Sequence, residues 1–141
     1  MSSNHLPTVK KSVEMAMVRS KNTAPELLVR RVLHALGIRF RVHRKNLPGT
    51  PDIVIPARKT VVQVNGCFWH GHDCARGSRK PKTNVGYWEA KIARNVARDI
   101  RTKAELVSLG WVVVVVWECE VRDYKGIPAL LLDRLPPKNE I

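Results

Sequence analysis

The stretch Leu47–Cys74, LPGTPDIVIPARKTVVQVNGCFWHGHDC, decides how this chain is read. It opens on a turn, Leu47-Pro48-Gly49-Thr50-Pro51, where proline presets φ and glycine admits the conformations other residues avoid. Ile53-Val54-Ile55 follows as a short apolar strand, and Pro56–Lys59 turns the chain again. Thr60–Asn65 then reads as a second strand, antiparallel to the first. From Gly66 to Pro81 the chain is irregular and rich in Cys, His and Gly. A carboxylate, Asp52, therefore sits at the mouth of a hairpin that runs straight into a loop of soft metal ligands.

Outward from this hairpin, Thr23-Ala24-Pro25-Glu26 signals a helix start. Thr23 is the N-cap, Pro25 lies in the first turn and Glu26 is placed to close a capping box. Leu28, Val32, Ala35 and Leu36 share one face of that helix, and Gly37 ends it. Arg39–His43 alternates like a strand. A long helix is predicted from Tyr87 to Leu109, with Trp88, Ile92, Val96, Ile100, Ala104 and Val107 as its core stripe. Trp111–Trp117 is nearly all valine, the mark of a strand buried on both faces, and Pro128–Leu135 reads as a last helix. The order α-β-β-β-α-β predicts a single α/β domain with a central mixed β-sheet flanked by helices. Residues 1–22 read as a basic N-terminal arm, helical around Val13–Val18, and residues 23–141 as the domain.

The chain has 141 residues, with 25 Lys+Arg against 12 Asp+Glu and a net charge of +13. The charge is concentrated: residues 1–47 carry net +8 and residues 76–103 net +7, whereas residues 104–141 carry net −2. Two basic segments on a small domain point to a polyanion such as nucleic acid, because each neutralised phosphate releases counterions. Neither segment has the clean apolar face of a membrane-surface helix, and no apolar run approaches the ~20 residues that span a bilayer. The opening MSSNHLPTVKK lacks the apolar stretch of a secretory signal. An intracellular chain with its three cysteines reduced is the expectation.

Cys67, His72, Cys74 and Cys119 form a set of three thiolates and one imidazole, the closed tetrahedral arrangement of structural zinc. A loop with so few apolar residues needs metal binding to order it. Asp52 is an oxygen ligand for a hard cation, which must touch both a phosphate and an attacking water. The layout resembles the hairpin of restriction-enzyme-like nucleases, where a Pro-Asp carboxylate and a second acidic-x-Lys position hold magnesium. Here the second positions are the neutral Gln63 and Asn65. Two residues can fill the gap: Glu26, through a water, and His70, which the zinc does not need and which can take a proton from water near neutral pH.

Taken together, Gly66-Cys67-Phe68-Trp69-His70-Gly71-His72-Asp73-Cys74, Leu47–Asp52 before it and Trp117-Glu118-Cys119 after it resemble the very short patch repair (Vsr) DNA mismatch endonucleases. Arg19–Glu26 and Trp88-Glu89-Ala90-Lys91-Ile92 look like the same family. The resemblance covers roughly residues 13–122. It implies a restriction-endonuclease-like fold and nicking of one DNA strand on the 5′ side of a thymine mispaired with guanine. In this reading Asp52 and the backbone carbonyl of Val64 bind magnesium, His70 activates water and Glu26 supports the site. Asn65 stands where the family usually has a catalytic histidine, and the zinc ligands are the four named above.

For recognition, the resemblance implies an aromatic wedge of Phe68, Trp69 and Trp88, with Met15 inserting from the arm. Lys91, Asn95 and Asp99 would read the mispair edges, and Arg76, Arg79, Lys80 and Lys82 would contact phosphates. It further implies a monomer acting on mismatched double-stranded DNA, in the bacterial cytoplasm and at the nucleoid, with mismatch-repair proteins as further partners. Two other readings stand beside it. One is a zinc-stabilised DNA-binding module without activity, the other a nicking nuclease of different target specificity.

Overall fold

The computed structural model describes residues 22–75, 78, 83–122 and 124–138. The arm helix around Val13–Val18, Met15 and the basic residues Arg76, Arg79, Lys80 and Lys82 lie outside these. The elements run α1 (Ala24–Ala35), β1 (Arg41–Val42), β2 (Ile53–Ile55), β3 (Thr60–Asn65), α2 (Val85–Ser108), β4 (Val112–Trp117) and α3 (Ile127–Arg134). The four strands form one sheet in the order β1-β2-β3-β4. The first three are antiparallel, and β4 lies parallel to β3 with Val61 opposite Val113 and Asn65 opposite Trp117. The domain is thus α/β with a mixed sheet. Among the described residues, no helix is long and apolar enough to cross a membrane.

Side chains alternate across a strand, and this period sorts the sheet's two faces. Ile53, Ile55, Val62, Val114 and Val116 face α1 and α3, and with Val29, Leu33, Ile127 and Leu131 they make the principal core. On the opposite face, under α2, only Val54, Val61 and Leu106 form a second, small core. The same alternation sends Asp52, Gln63 and Asn65 to the α2 side. The sheet is sealed where the core is large and open where it is small.

Three sequence expectations change. In α1 the inward residues are Val29, Val32 and Leu33, with Leu28 and Leu36 half-buried and Ala35 exposed. In α2 only Leu106 is fully buried, while Ile100 is 66% and Val107 54% exposed. Of the expected stripe Trp88, Ile92 and Val96 turn inward, but Asn95, Asp99 and Thr102 join them in place of Ile100, Ala104 and Val107, because much of this face borders a cleft rather than a core. Finally, β4 is an edge strand of the described sheet and exposes Val112, so its run of valines does not mark burial on both faces.

Glycines allow α2 to approach the hairpin. Gly49 (φ +73) lies so close to Thr102 that a Cβ there would fall 2.4 Å from its methyl. Gly71 (φ +64) meets the methyls of Ile92 and Val96, each 3.2 Å from where a Cβ would stand. The Leu47–Pro51 turn and the Cys/His loop are therefore both seated on one helix face.

Candidate active site and metal centre

Asp52 leads into β2 and is fixed on both sides of its backbone. Its carbonyl accepts from His43 N–H at 3.2 Å, and its own N–H donates to Gln63 Oε1 at 3.2 Å. Its carboxylate takes a hydrogen bond from Val64 N–H at 2.8 Å. Gln63, neutral where an acid was looked for, thus works as a brace for the strand end. Burial raises the Asp52 carboxyl from 3.8 to about 6, and the nearby Glu26 carboxylate adds to the rise. The Val64 N–H bond and the charges of His43 and His70 act against it.

Glu26 does not close the capping box expected of it. Thr23 Oγ1 accepts from Glu26 N–H at 3.3 Å, so the N-cap holds, but the Glu26 carboxylate is buried beneath the helix start. There it lies 3.0 Å from His43 Nε2 and 3.3 Å from Arg30 Nη1. One donor atom each from Glu26, His43 and Asp52 falls within a 4.8 Å cluster. His43 was not singled out from the sequence. Its signal was its position at the end of the alternating Arg39–His43 run, which the β1–β2 register carries to Asp52.

His70 sits in the loop after β3, its N–H bonded to Gly66 O at 3.2 Å. Its Nδ1 is 2.6 Å from Asp99 Oδ2 on α2. An ionised carboxylate only accepts, so Nδ1 is the donor of this pair, which in the neutral ring leaves the lone pair on Nε2. Asp99 is thereby committed to His70, while Lys91 and Asn95, its neighbours on the same helix face, attend to Trp69. Asn95 Nδ2 donates to Trp69 O at 2.9 Å, and Lys91 Nζ lies 5.6 Å from the Trp69 ring centre. Asp52, Gln63, Asn65, His70 and Asp99 border one open cleft of about 500 Å³ between the sheet and α2.

The second cluster gathers Cys67, His72, Cys74 and Cys119, with one ligand atom from each inside 4.8 Å. Cys67 is fully buried and accepts from Cys119 N–H at 3.4 Å. His72 Nδ1 faces Cys119 Sγ at 3.6 Å, and its ring stacks on Trp117 at 4.1 Å. Burial, with neighbouring thiols, pushes the free Cys67 thiol up to about 12. A thiol so reluctant to ionise in water-poor surroundings becomes a thiolate once a soft cation supplies the charge. The donor set fits a tetrahedral N/S-preferring ion. Beside it Phe68, Trp69 and Trp88 pack edge to face, with ring centres 5.4–5.9 Å apart.

The 3-10 turn Glu118–Val121 that carries Cys119 is tied down from the far side. Arg134 of α3 donates to Val115 O at 3.0 Å and to Glu120 Oε1 at 2.8 Å, and Glu120 Oε1 also accepts from Trp117 N–H at 2.9 Å. The Arg134 guanidinium holds the Glu120 carboxyl below the usual carboxylate range.

The family model described as DNA mismatch endonuclease Vsr matches residues 3–76. The chain is 54% identical over 123 residues to the type II nicking enzyme V.XorIIP of Xanthomonas oryzae pv. oryzae, covering 87% of this chain and 90% of that one. It is 46% identical over 128 residues to the type II nicking enzyme V.NmeAIP of Neisseria meningitidis serogroup A, covering 91% of this chain and 90% of that one. Against the DNA mismatch endonuclease Vsr of Escherichia coli, identity is 39% over 112 residues, covering 79% and 71%. The chain belongs to the DNA mismatch endonuclease Vsr family and is a DNA endonuclease.

Proposed function

We propose that this protein is a magnesium-dependent endonuclease that nicks one DNA strand 5′ of the thymine in a T:G mispair. The observation that carries the reading is the convergence of Asp52 and the His70–Asp99 pair on one cleft. Asp52 and the Val64 carbonyl are the magnesium ligands. In an extended strand the N–H and C=O of one residue point to the same edge, and Val64 N–H already points at Asp52. Two such oxygens suit a small hard cation. The bound ion would polarise the scissile phosphate and neutralise charge developing on it.

The protein's own groups supply the remainder. His70 Nε2 takes a proton from the attacking water, and Asp99 holds the ring and stabilises the imidazolium that results. Glu26 supports Asp52 from below. Asn65, buried in β3 at the cleft wall, provides an amide where the family's usual histidine would provide a base, which places the proton transfer on His70. Cys67, His72, Cys74 and Cys119 hold zinc, which fixes the loop that carries both His70 and the aromatic residues.

A mispaired step stacks less well than a matched one, so opening it costs less. Phe68, Trp69 and Trp88 form the wedge for that step, with Met15 entering from the arm of residues 1–22 and offsetting a few kcal/mol of unstacking. Lys91 and Asn95, both in contact with Trp69, read the mispair in this proposal. Arg94, Arg98 and Arg101, exposed on α2, contact phosphates. The domain, residues 23–141, is restriction-endonuclease-like and acts as a monomer on mismatched duplex DNA in the bacterial cytoplasm, at the nucleoid, ahead of other mismatch-repair proteins.

A nicking assay on T:G and matched duplexes, with and without magnesium, tests this reading. Wild type is expected to nick the T:G duplex only with the ion, and Asp52→Ala to lose this activity. Equal cutting of matched and mismatched duplexes would retain a nuclease and remove the specificity. No cutting beyond Asp52→Ala would leave a zinc-stabilised binding module.

A further inference from the structure

Beneath the cleft lies a cluster that the nuclease reading does not use in full. Glu26 at the start of α1 is 1% exposed. His43, just past β1, has a side chain 15% exposed. Its Nε2 is sealed from solvent, and among the described residues no group forms a hydrogen bond with it. It lies 3.0 Å from Glu26 Oε2, but off the line that a hydrogen bond needs. Asp52 completes the set, with one donor atom from each residue inside 4.8 Å. The arrangement is built in: the His43 N–H to Asp52 O bond aligns the two residues, and Arg30 and Thr23 fix Glu26.

Two carboxylates and an imidazole nitrogen facing one another without a proton bridge are arranged as ligands around a cation. Donors bound to one ion at about 2.1–2.2 Å stand roughly 3–3.6 Å apart when neighbouring and about 4.4 Å when opposite, so the His43–Glu26 separation already suits a shared ion and the cluster closes by side-chain shifts of about an ångström or less. The nitrogen decides the class of ion. Magnesium favours oxygen and keeps its waters, whereas an imidazole beside two carboxylates suits divalent first-row transition ions.

We propose that Glu26, His43 and Asp52 form a further cation site, separate from the thiolate centre and on the far side of Asp52 from the Val64 carbonyl's magnesium position, which takes a divalent transition ion such as Mn²⁺ or Co²⁺ through His43. The proposal deepens the nuclease reading, since Asp52 serves both. Arg30, the nearest fixed positive charge, limits the affinity, so binding is expected to be reversible and to leave the thiolate centre loaded.

The test uses the full chain with its thiolate centre loaded with zinc, titrated with Mn²⁺ and followed by electron paramagnetic resonance. Wild type is expected to bind one Mn²⁺ with a nitrogen hyperfine coupling, and His70→Ala to keep that coupling. His43→Gln is expected to lose the coupling and to bind Mn²⁺ at least tenfold more weakly. Absence of the coupling in wild type, its loss in His70→Ala, or undiminished Mn²⁺ binding by His43→Gln would each overturn the site. Should His43→Gln fail to fold, wild type and His70→Ala decide the matter. Nicking by wild type in Mg²⁺ is measured alongside. Nicking without nitrogen coupling removes this site alone, and coupling without nicking in either ion removes the nuclease reading alone.

Discussion

Asp99 Oδ2 lies 2.6 Å from His70 Nδ1, joining the middle of the long helix to the loop that carries the thiolate ligands. The pair holds the imidazole in one orientation, so in the proposed reaction Asp99 would act through His70 as a positioning residue. Replacing Asp99 by Asn keeps the shape and removes the charge that favours the imidazolium. We expect Asp99→Asn to slow single-turnover nicking of a T:G duplex by about 10–100-fold, with duplex affinity and mismatch preference retained. If Asp99 instead read the mispair, the preference for T:G over matched DNA would collapse while cleavage of the residual substrate stayed fast.

The thiolate centre makes a different prediction, concerning the fold. The loop from Gly66 to Cys74 contributes one fully buried apolar residue, Cys67 itself, so apolar burial orders it little and an ion on the four ligands would add most of the remainder. Stripping zinc with a strong chelator is expected to lower the thermal midpoint by 10 °C or more and to release about one zinc per chain. Removing magnesium should stop nicking and leave the far-ultraviolet circular dichroism unchanged. A melt indifferent to zinc loss would contradict the structural role.

Much of the frame was legible because it is local. Thr23 and Gly37 bound α1, the Pro48–Pro51 and Pro56–Lys59 turns bound β2, and three soft ligands in a polar loop, with Cys119 after β4, announced their own cluster. What could not be read were choices made by long-range packing. An apolar period placed Ile100 and Val107 inside α2, yet the helix turns Asn95, Asp99 and Thr102 inward, because Gly49 and Gly71 seat it over a cleft. Glu26 and His43 are 17 positions apart; the pairing of Val42 with Ile53 brings His43 to Asp52, and the packing of α1 brings Glu26. A capping box was a sound local reading of Glu26. Burial of its carboxylate beside Arg30 and His43 displaced it.

Asp52 carries a pH prediction. In the folded protein without a divalent ion its carboxyl is pushed up to about 6 from 3.8, mainly by burial. For a carboxyl raised in this way, the stabilising contribution is complete below about pH 4 and is lost as pH climbs through 6. Ionised Asp52 therefore destabilises the magnesium-free fold at pH 7.5, by roughly 1–3 kcal/mol. Asp52→Asn is expected to melt several degrees above wild type at pH 7.5 without magnesium, with the gap narrowing through pH 5 and closing near pH 4. Added magnesium should raise only the wild-type midpoint. A gap of equal size at pH 7.5 and pH 4 would refute the assignment.

The aromatic cluster separates affinity from discrimination. Phe68, Trp69 and Trp88 touch edge to face, and Asn95 anchors the Trp69 backbone. Phosphate contacts supply most affinity irrespective of sequence. Trp69→Ala and Phe68→Ala are therefore expected to lower the ratio of T:G to matched binding by about tenfold, with matched-duplex affinity changed less than threefold. An equal loss on both duplexes would place these rings in general DNA contact or in the core.

Gly71 ties the metal loop to the helix, and its substitution tests whether the two centres are mechanically linked. Its φ of +64 is costly for a side chain, and a Cβ would stand 3.2 Å from methyls of both Ile92 and Val96. Gly71→Ala must push α2 away by a few tenths of an ångström or strain the loop, at a cost of about 1–3 kcal/mol. Because His70 is the preceding residue and Asp99 lies on the displaced helix, the strain falls on the His70–Asp99 contact. The variant is expected to bind zinc stoichiometrically and to melt lower, with nicking reduced beyond its loss of folded protein. Full activity per folded molecule would show that the catalytic pair tolerates movement of the helix against the loop.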